Sequence, residues 1–184
     1  MCRAGRGLGG VTLERDARRR IVAAYAGDAN GNLWRFDLRG APAAWKIAYG
    51  KPLFTTANNR PIYAAPAWQA HPNGGNIVVF ATGIVLVDAD LADTSVKERI
   101  YGIWDPSGSD GAEKSAFNTV QVNSLLEQTR VKIEKTANGR EGYSVSQNAI
   151  DWNSHSGWFL TLNAAPGERS IDQVRNIGSH IEVN

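Results

Sequence analysis

Cysteine is nearly absent from this chain of 184 residues: Cys2 stands alone, so no intrachain disulfide forms and no cysteine-rich metal site exists. Methionine is equally scarce, and histidine is confined to His71, His155 and His180, each among turn residues. Long apolar runs are also missing. Nothing approaches the roughly twenty apolar residues of a membrane span, and the opening MCRAGRGLGG has no apolar signal core. A formal net charge of +2 is too small to favour nucleic acid as a partner. That charge is uneven, because Arg3, Arg6, Arg15, Arg18, Arg19 and Arg20 face only Glu14 and Asp16. Residues 1–20 therefore read as a basic, partly disordered leader. Catalytic signatures are lacking as well: there is no G-x-S-x-G elbow and no H-E-x-x-H, and GLGG (Gly7 to Gly10) lacks the Lys-Ser/Thr of a phosphate loop. Ser154-His155-Ser156 sets a His between two Ser, but neighbours in extended chain point opposite ways, so no dyad is expected there. An enzyme is not expected.

What is present is glycine and large aromatics, with 19 Gly and 6 Trp, in a chain whose hydrophobic content of 42% is that of an ordinary globular protein. Short runs of β-branched and aromatic residues alternate with Gly, Asn, Asp and Pro. IVAAYAGD (Ile21 to Asp28) and GNLWRFDL (Gly31 to Leu38) flank Ala29-Asn30 and predict a hairpin. AAWKIAYG, KPLFTT, PIYAAPAWQA, NIVVFATGIVLV, ERIYGIWD and GWFLTLN predict further strands. Helix has little room. Ser115 to Arg130 reads as one short helix, or equally as a strand feeding RVKIEK, and Asp88 to Lys97 holds room for one helical turn. Strands this short, at this spacing, predict an all-β sandwich, barrel or propeller.

A faint repeat selects among them. AYAGDANGNLWRFDL runs strand, Gly-bearing turn, then aromatic-basic-aromatic-Asp, and VVFATG with RIYGIWD repeats that grammar around a longer insertion. Units ending in Trp and Asp are a sign of propeller blades. The expectation is a partial β-propeller with quinoprotein-like blades and minor helix over residues 21–169, followed by a polar tail over 170–184. Trp34, Trp45, Trp68, Trp104, Trp152 and Trp158 lie mostly in separate units, which suits blade packing.

These residues resemble a known family. Gly7 to Leu38, with its GLGG and YAGDANGNLWRFDL, is similar to a hairpin segment of the PilY/PilC type IV pilus tip-associated adhesins. GKPLFTT, PIYAAPAW, HPNGGNIVVFATG, DLADTS, IYGIWD and DWNSHSGWFLTLNAAPGER follow in that family's order, so the resemblance covers nearly all of Gly7 to Arg169. It implies an exported pilus-biogenesis and adhesion factor at the cell surface, pilus tip or outer membrane. The partners it implies are other pilus or pilus-assembly proteins, a host surface, and the remaining blades of the propeller. Ile84 stands where members carry a basic residue, and SIDQVRNIGSHIEVN replaces the family's further apolar strands, so the chain reads as a fragment. Two alternatives are a piece of a pyrroloquinoline-quinone-dependent dehydrogenase propeller and a non-functional truncated remnant.

No cofactor is expected, with calcium the one candidate ion. Asp28, Asn30 and Asn32 alternate as the first oxygen ligands of a calcium loop do, but Gly31 and Arg39 stand out of frame for one. The family's acidic loop before the YAGD strand is replaced by ERDARRRIV. Asp88, Asp90 and Asp93 read as a solvated loop with Asp93 capping a turn, and Asp105, Ser107, Ser109 and Asp110 as an ordinary turn. The hairpin is the expected anchor: Gly27 and Gly31 flank its turn, and Trp34 and Phe36 share the face predicted to be buried, with Asp37 closing the strand.

Overall fold

The computed structural model describes residues 7–85, 87–107, 112–114, 117–133, 142–178 and 180–183. Cys2, Ser109 and Asp110 lie outside the described residues, as do 115 and 116 at the start of the expected helix. The strands in chain order begin with β1 (Leu8–Arg15), β2 (Ile21–Asp28), β3 (Asn32–Asp37), β4 (Lys46–Ile47) and β5 (Phe54–Thr55). After them come β6 (Ala67–Ala70), β7 (Asn76–Ala81), the single helical turn α1 (Asp88–Ala92) and β8 (Arg99–Asp105). The chain continues through β9 (Leu126–Gln128), β10 (Arg130–Ile133), β11 (Gly142–Val145), β12 (Gly157–Thr161), β13 (Arg175–Ile177) and β14 (His180–Glu182).

The first sheet runs β1-β2-β3, all antiparallel, and its fourth position is shared. β4 pairs with β3 at Phe36 and Asp37, while β5 pairs with it at Asn32 and Leu33. The sharp β2–β3 turn needs a backbone that L side chains rarely adopt, and Gly31 supplies it at φ 79°. The second sheet has the order β6-β7-β8-β12-β9, antiparallel except for β9 beside β12. Neither sheet closes on itself. Each is a blade-like unit, as expected, and one face of each builds the common core.

That core joins Tyr25, Leu33, Leu53 and Phe54 of the first sheet and its connections to Val78, Phe80, Tyr101, Ile103 and Phe159 of the second. The Phe54 ring lies 4.9 Å from Tyr101 and 5.8 Å from Phe80, and the Phe80 and Tyr101 rings stack at 5.3 Å. Each such fully buried side chain stabilises the packing by roughly 1.5–3 kcal/mol, which explains how a strand as short as β5 is held.

Two expectations are corrected, and one left open between helix and strand is decided for strand. The basic leader is ordered from Leu8 onward as β1, because its Thr12 and Glu14 meet Tyr25 and Ala23 across the ladder and Glu14 is buried. Its backbone is also tied to the second unit, with Gly10 N–H donating to the Tyr63 carbonyl and Trp68 Nε1 donating to the Leu13 carbonyl. The Ser115–Arg130 stretch is not a helix where it is described. Val120 bridges Phe54, one 3-10 turn follows at Val122–Ser124, and β9 begins at Leu126. Burying Val120 and Leu125 against the core overrides weak helical propensity. The polar tail forms the β13–β14 hairpin, and Val174, Ile181 and Val183 cover the far face of the second sheet against Ala67, Val79 and Trp158.

Candidate functional site

Strand alternation puts Leu33, Arg35 and Asp37 of β3 inward and leaves Trp34 and Phe36 half-buried on the outer face. The expected polarity of the hairpin is therefore reversed. Arg35 is the reason: it is wholly buried, and only a carboxylate from across the core makes that tolerable.

The carboxylate is Asp105, at the end of β8 and also wholly buried. Arg35 Nε sits 2.8 Å from Asp105 Oδ2, with Glu14 Oε2 3.8 Å from Nη2. The Tyr25 hydroxyl donates to Asp105 Oδ2 at 2.6 Å and accepts from Asn76 Nδ2 at 3.1 Å. Ser107 Oγ donates to the same carboxylate oxygen at 3.0 Å, while Tyr49 OH and Ser107 N–H donate to Oδ1 at 2.8 and 3.1 Å. Burial opposes the charge on Arg35, but Asp105, Tyr25 and Glu14 raise its pKa, so it stays cationic. Burial pushes Glu14 above the usual carboxylate range, against the pull of Asn76 and Arg35. The Tyr25 hydroxyl also lies 3.2 Å from Glu14 Oε2. The cluster ties β1, β2 and β3 to β7 and β8. It is a lock between two sheets, with its polar atoms turned inward.

A second lock lies along the connection between the sheets. Arg60 pairs with buried Glu98, which also accepts from Thr82 Oγ1 at 2.6 Å. Arg169 reaches back to the carbonyls of Ile84, Asp90 and Asp93, pinning the loop around α1.

At the β2–β3 turn, Asp28 accepts from the Asn30 and Asn32 backbone N–H groups, from Asn32 Nδ2 and from Trp34 Nε1, all at 2.8–2.9 Å. Burial alone would raise this carboxyl, but the donors of Asn32, Trp34 and Asn30 hold it below its usual range. The proposed ligand triad is thus a self-satisfied turn, in which any cation would compete with four N–H groups. The β1–β2 turn is closed by its own side chains as well. Asp16 accepts from the Arg18 and Arg20 amides at 2.9 Å and pairs with the Arg20 guanidinium at 2.7 Å. Gly27 is needed for close approach, since a Cβ there would overlap Ile62.

Among the described residues, no group of three or more His, Cys, Asp and Glu is arranged to hold a metal. Asp90 accepts from the Val87 amide and Asp93 from Ser95, so these carboxylates shape the α1 loop. Ser154 and His155 do approach, with Oγ 3.0 Å from Nδ1. The expectation of opposed side chains fails because Asp151 folds the segment into a tight turn, accepting the Ser154 and His155 amides on its carbonyl and Ser154 Oγ on its carboxylate at 3.0 Å. That turn is exposed, and its hydroxyl is engaged by the turn itself. Of the tryptophans, Trp158 lies flat over Gly102, and Trp104 and Trp152 flank buried His71, whereas Trp45 is half exposed. Sequence reasoning missed Glu14, Arg35 and Asp105. The one available signal was Arg35 itself, a cation in the middle of a largely apolar hairpin strand.

Two open, mostly antiparallel blade-like sheets, packed face to face and locked through a buried ionic cluster, fit part of a β-propeller domain. The family model of the PilY1 beta-propeller domain matches residues 2–139, and the chain belongs to that family. The type IV pilus biogenesis factor PilY1 of Pseudomonas aeruginosa strain PAO1 is 31% identical over 190 residues, covering 84% of this chain and 16% of that protein. A PilY1 homolog of Xylella fastidiosa is 28% identical over 181 residues, covering 90% of this chain and 12% of that protein. The crystal structure of the Pseudomonas aeruginosa PilY1 C-terminal domain superposes with a TM-score of 0.76 at 29% identity, covering 95% of this chain and 43% of that one. The chain thus spans less than a fifth of the length of these curated relatives.

Proposed function

We propose that this chain is a non-catalytic structural and adhesive module of a type IV pilus biogenesis factor, acting at the cell surface to support pilus assembly and surface attachment. The observation that carries the reading is the use made of its strongest chemistry. Arg35, Glu14, Asp105 and Tyr25, a cluster of titratable groups, are spent on joining two sheets in the buried core. The similarity to PilY1 relatives supports the pilus context. Its partners in this reading are other pilus proteins or a host surface, with no nucleic acid, and no helix of the described residues is long and apolar enough to cross a membrane.

The test is to replace the matching region of Pseudomonas aeruginosa PilY1 with this chain and to count surface pili and attached cells. Restoration of both supports the module. Folded, secreted protein that restores neither removes the reading. Against the dehydrogenase alternative, titration with pyrroloquinoline quinone and calcium should give no saturable absorbance change and no dye reduction.

A further inference from the structure

Positive charge is concentrated at one end of the first sheet. Glu14 stands opposite Ala23, Ala23 opposite Asp37, and Asp37 opposite Lys46, so one row crosses β1, β2, β3 and β4. Beyond that row lie Arg15, Arg18, Arg19 and Arg20 at the β1–β2 turn and Arg39 at the exit of β3. These five arginines stand over the carboxylates of Asp16 and Asp37 alone, because Glu14 turns inward to Arg35 and Glu113 pairs with Lys46. The anions lie beneath and the cations outside. Side-chain exposure is 12% for Asp16 against 68% for Arg20, and 6% for Asp37 against 36% for Arg39. The outward field is therefore positive. Among the described residues, the side chains of Arg18 and Arg19 have no hydrogen bond or ion pair, and Arg15 reaches only the Arg19 carbonyl, at 3.0 Å. Arg19 also holds a left-handed backbone at φ 62°, where Gly or Asn would cost less. Between the turn and the exit of β3 runs a groove of about 410 Å³, lined by Ile21, Val22 and Leu38 together with Asp16, Arg20 and Arg39. That volume is within the range of ligand sites.

We propose that this groove and its arginine rim bind an acidic polysaccharide, with sulfate or carboxylate groups on the guanidiniums of Arg18, Arg19, Arg20 and Arg39 and sugar-ring faces against Ile21 and Leu38. Planar guanidinium forks match two oxygens of an oxyanion at once. Pyranose rings present apolar C–H faces with charged groups at their margin, which is the arrangement of the groove and its rim. Trp45, half exposed, stands at the same sheet end, one residue before Lys46. Other polyanions fit less well. A peptide strand docks along a sheet edge, whereas this groove lies at the ends of strands. A bilayer is too flat to enter a concavity, and one exposed indole is no platform for successive bases. The inference rests on the module reading above and names a partner class for its attachment role.

The experiment titrates the 184-residue chain with a heparin hexasaccharide by calorimetry, at about 50 and about 150 mM salt. Saturable binding is expected, weaker at the higher salt because the contacting charges are exposed. Arg18→Ala combined with Arg19→Gly should weaken it at least about tenfold. The double variant should stay folded by circular dichroism, since both side chains are exposed and Gly suits the left-handed backbone. Arg175→Ala, at an exposed arginine of β13, should have no effect. Absence of saturable binding at both salt concentrations overturns the proposal, as does binding that the double variant leaves intact. So does a tighter complex with a single-stranded oligonucleotide or a polyglutamate peptide of equal charge, or with phosphatidylglycerol vesicles, any of which would make that polyanion the partner. Equal binding of an uncharged dextran hexasaccharide would also overturn it. Polysaccharide binding without restored pili in the replacement test would remove the functional reading and leave the site standing. Restored pili and attachment without polysaccharide binding would remove the site and leave the functional reading.

Discussion

Asp105→Ala removes the anionic half of a pair in which both members are wholly buried. What stays behind is Arg35, with Glu14 Oε2 at 3.8 Å and the Asp37 carboxylate acting on it from farther off, and Tyr25, Tyr49 and Ser107 without their acceptor. Leaving one partner of a buried pair uncompensated costs about 3–5 kcal/mol. Glu14 offsets part of this, because losing Asp105 removes a like charge that disfavours its ionised form. The lower half of that range is therefore expected, about 3–4 kcal/mol. In a domain of this size each kcal/mol moves the midpoint by about 2–4 °C, so Tm should fall by roughly 6–16 °C. The double variant Arg35→Met with Asp105→Leu replaces the pair by apolar groups and should recover most of the loss, since both charges go together. Thermal unfolding of the parent, Arg35→Met, Asp105→Leu and the double variant gives the coupling energy, expected at about 2 kcal/mol or more. A fall below about 2 °C for Asp105→Ala, or additive single effects, would refute the inter-sheet lock.

Four further outcomes are expected. His71 is buried between Trp104 and Trp152, and burial lowers its pKa below 6.5, so the unfolded chain takes up a proton first. Stability should be fully present above pH 6.5 and lost as pH falls below it; the urea midpoint of His71→Phe should show a flatter slope between pH 7.5 and 5. Glu14 has the opposite sign: its raised pKa contributes stability below the unfolded value of 4.5 that is lost as pH rises through the folded value. Glu14→Gln should remove that decline, and an unchanged pH profile would count against a raised Glu14 pKa. Calcium should bind the Asp28 turn at about millimolar affinity or weaker by calorimetry, and micromolar binding abolished by Asp28→Ala would overturn this. Trp34→Phe deletes one N–H donor to Asp28 at a half-buried site and should cost about 1 kcal/mol, far from the loss expected of a core tryptophan.

Local rules made much of this protein legible. The Ile21–Asp28 and Gly31–Leu38 hairpin, the single turn after Val87 and the all-β class follow from alternation, Gly and Asn placement and the shortage of helical periodicity. The repeated grammar and its family order carried the propeller reading as well. Tertiary structure alone decided which face of the hairpin is the inside. By hydropathy Trp34 and Phe36 outrank Leu33 and Arg35, and only Asp105, seventy residues away in sequence, makes Arg35 a core residue. The same holds for the two ends. Residues Leu8–Arg15 and the Val174–Val183 region read as basic leader and polar tail because single strands at a periphery bury few side chains. Their order comes from ladders and faces supplied by distant strands, and pairing across such distances leaves no mark on local composition.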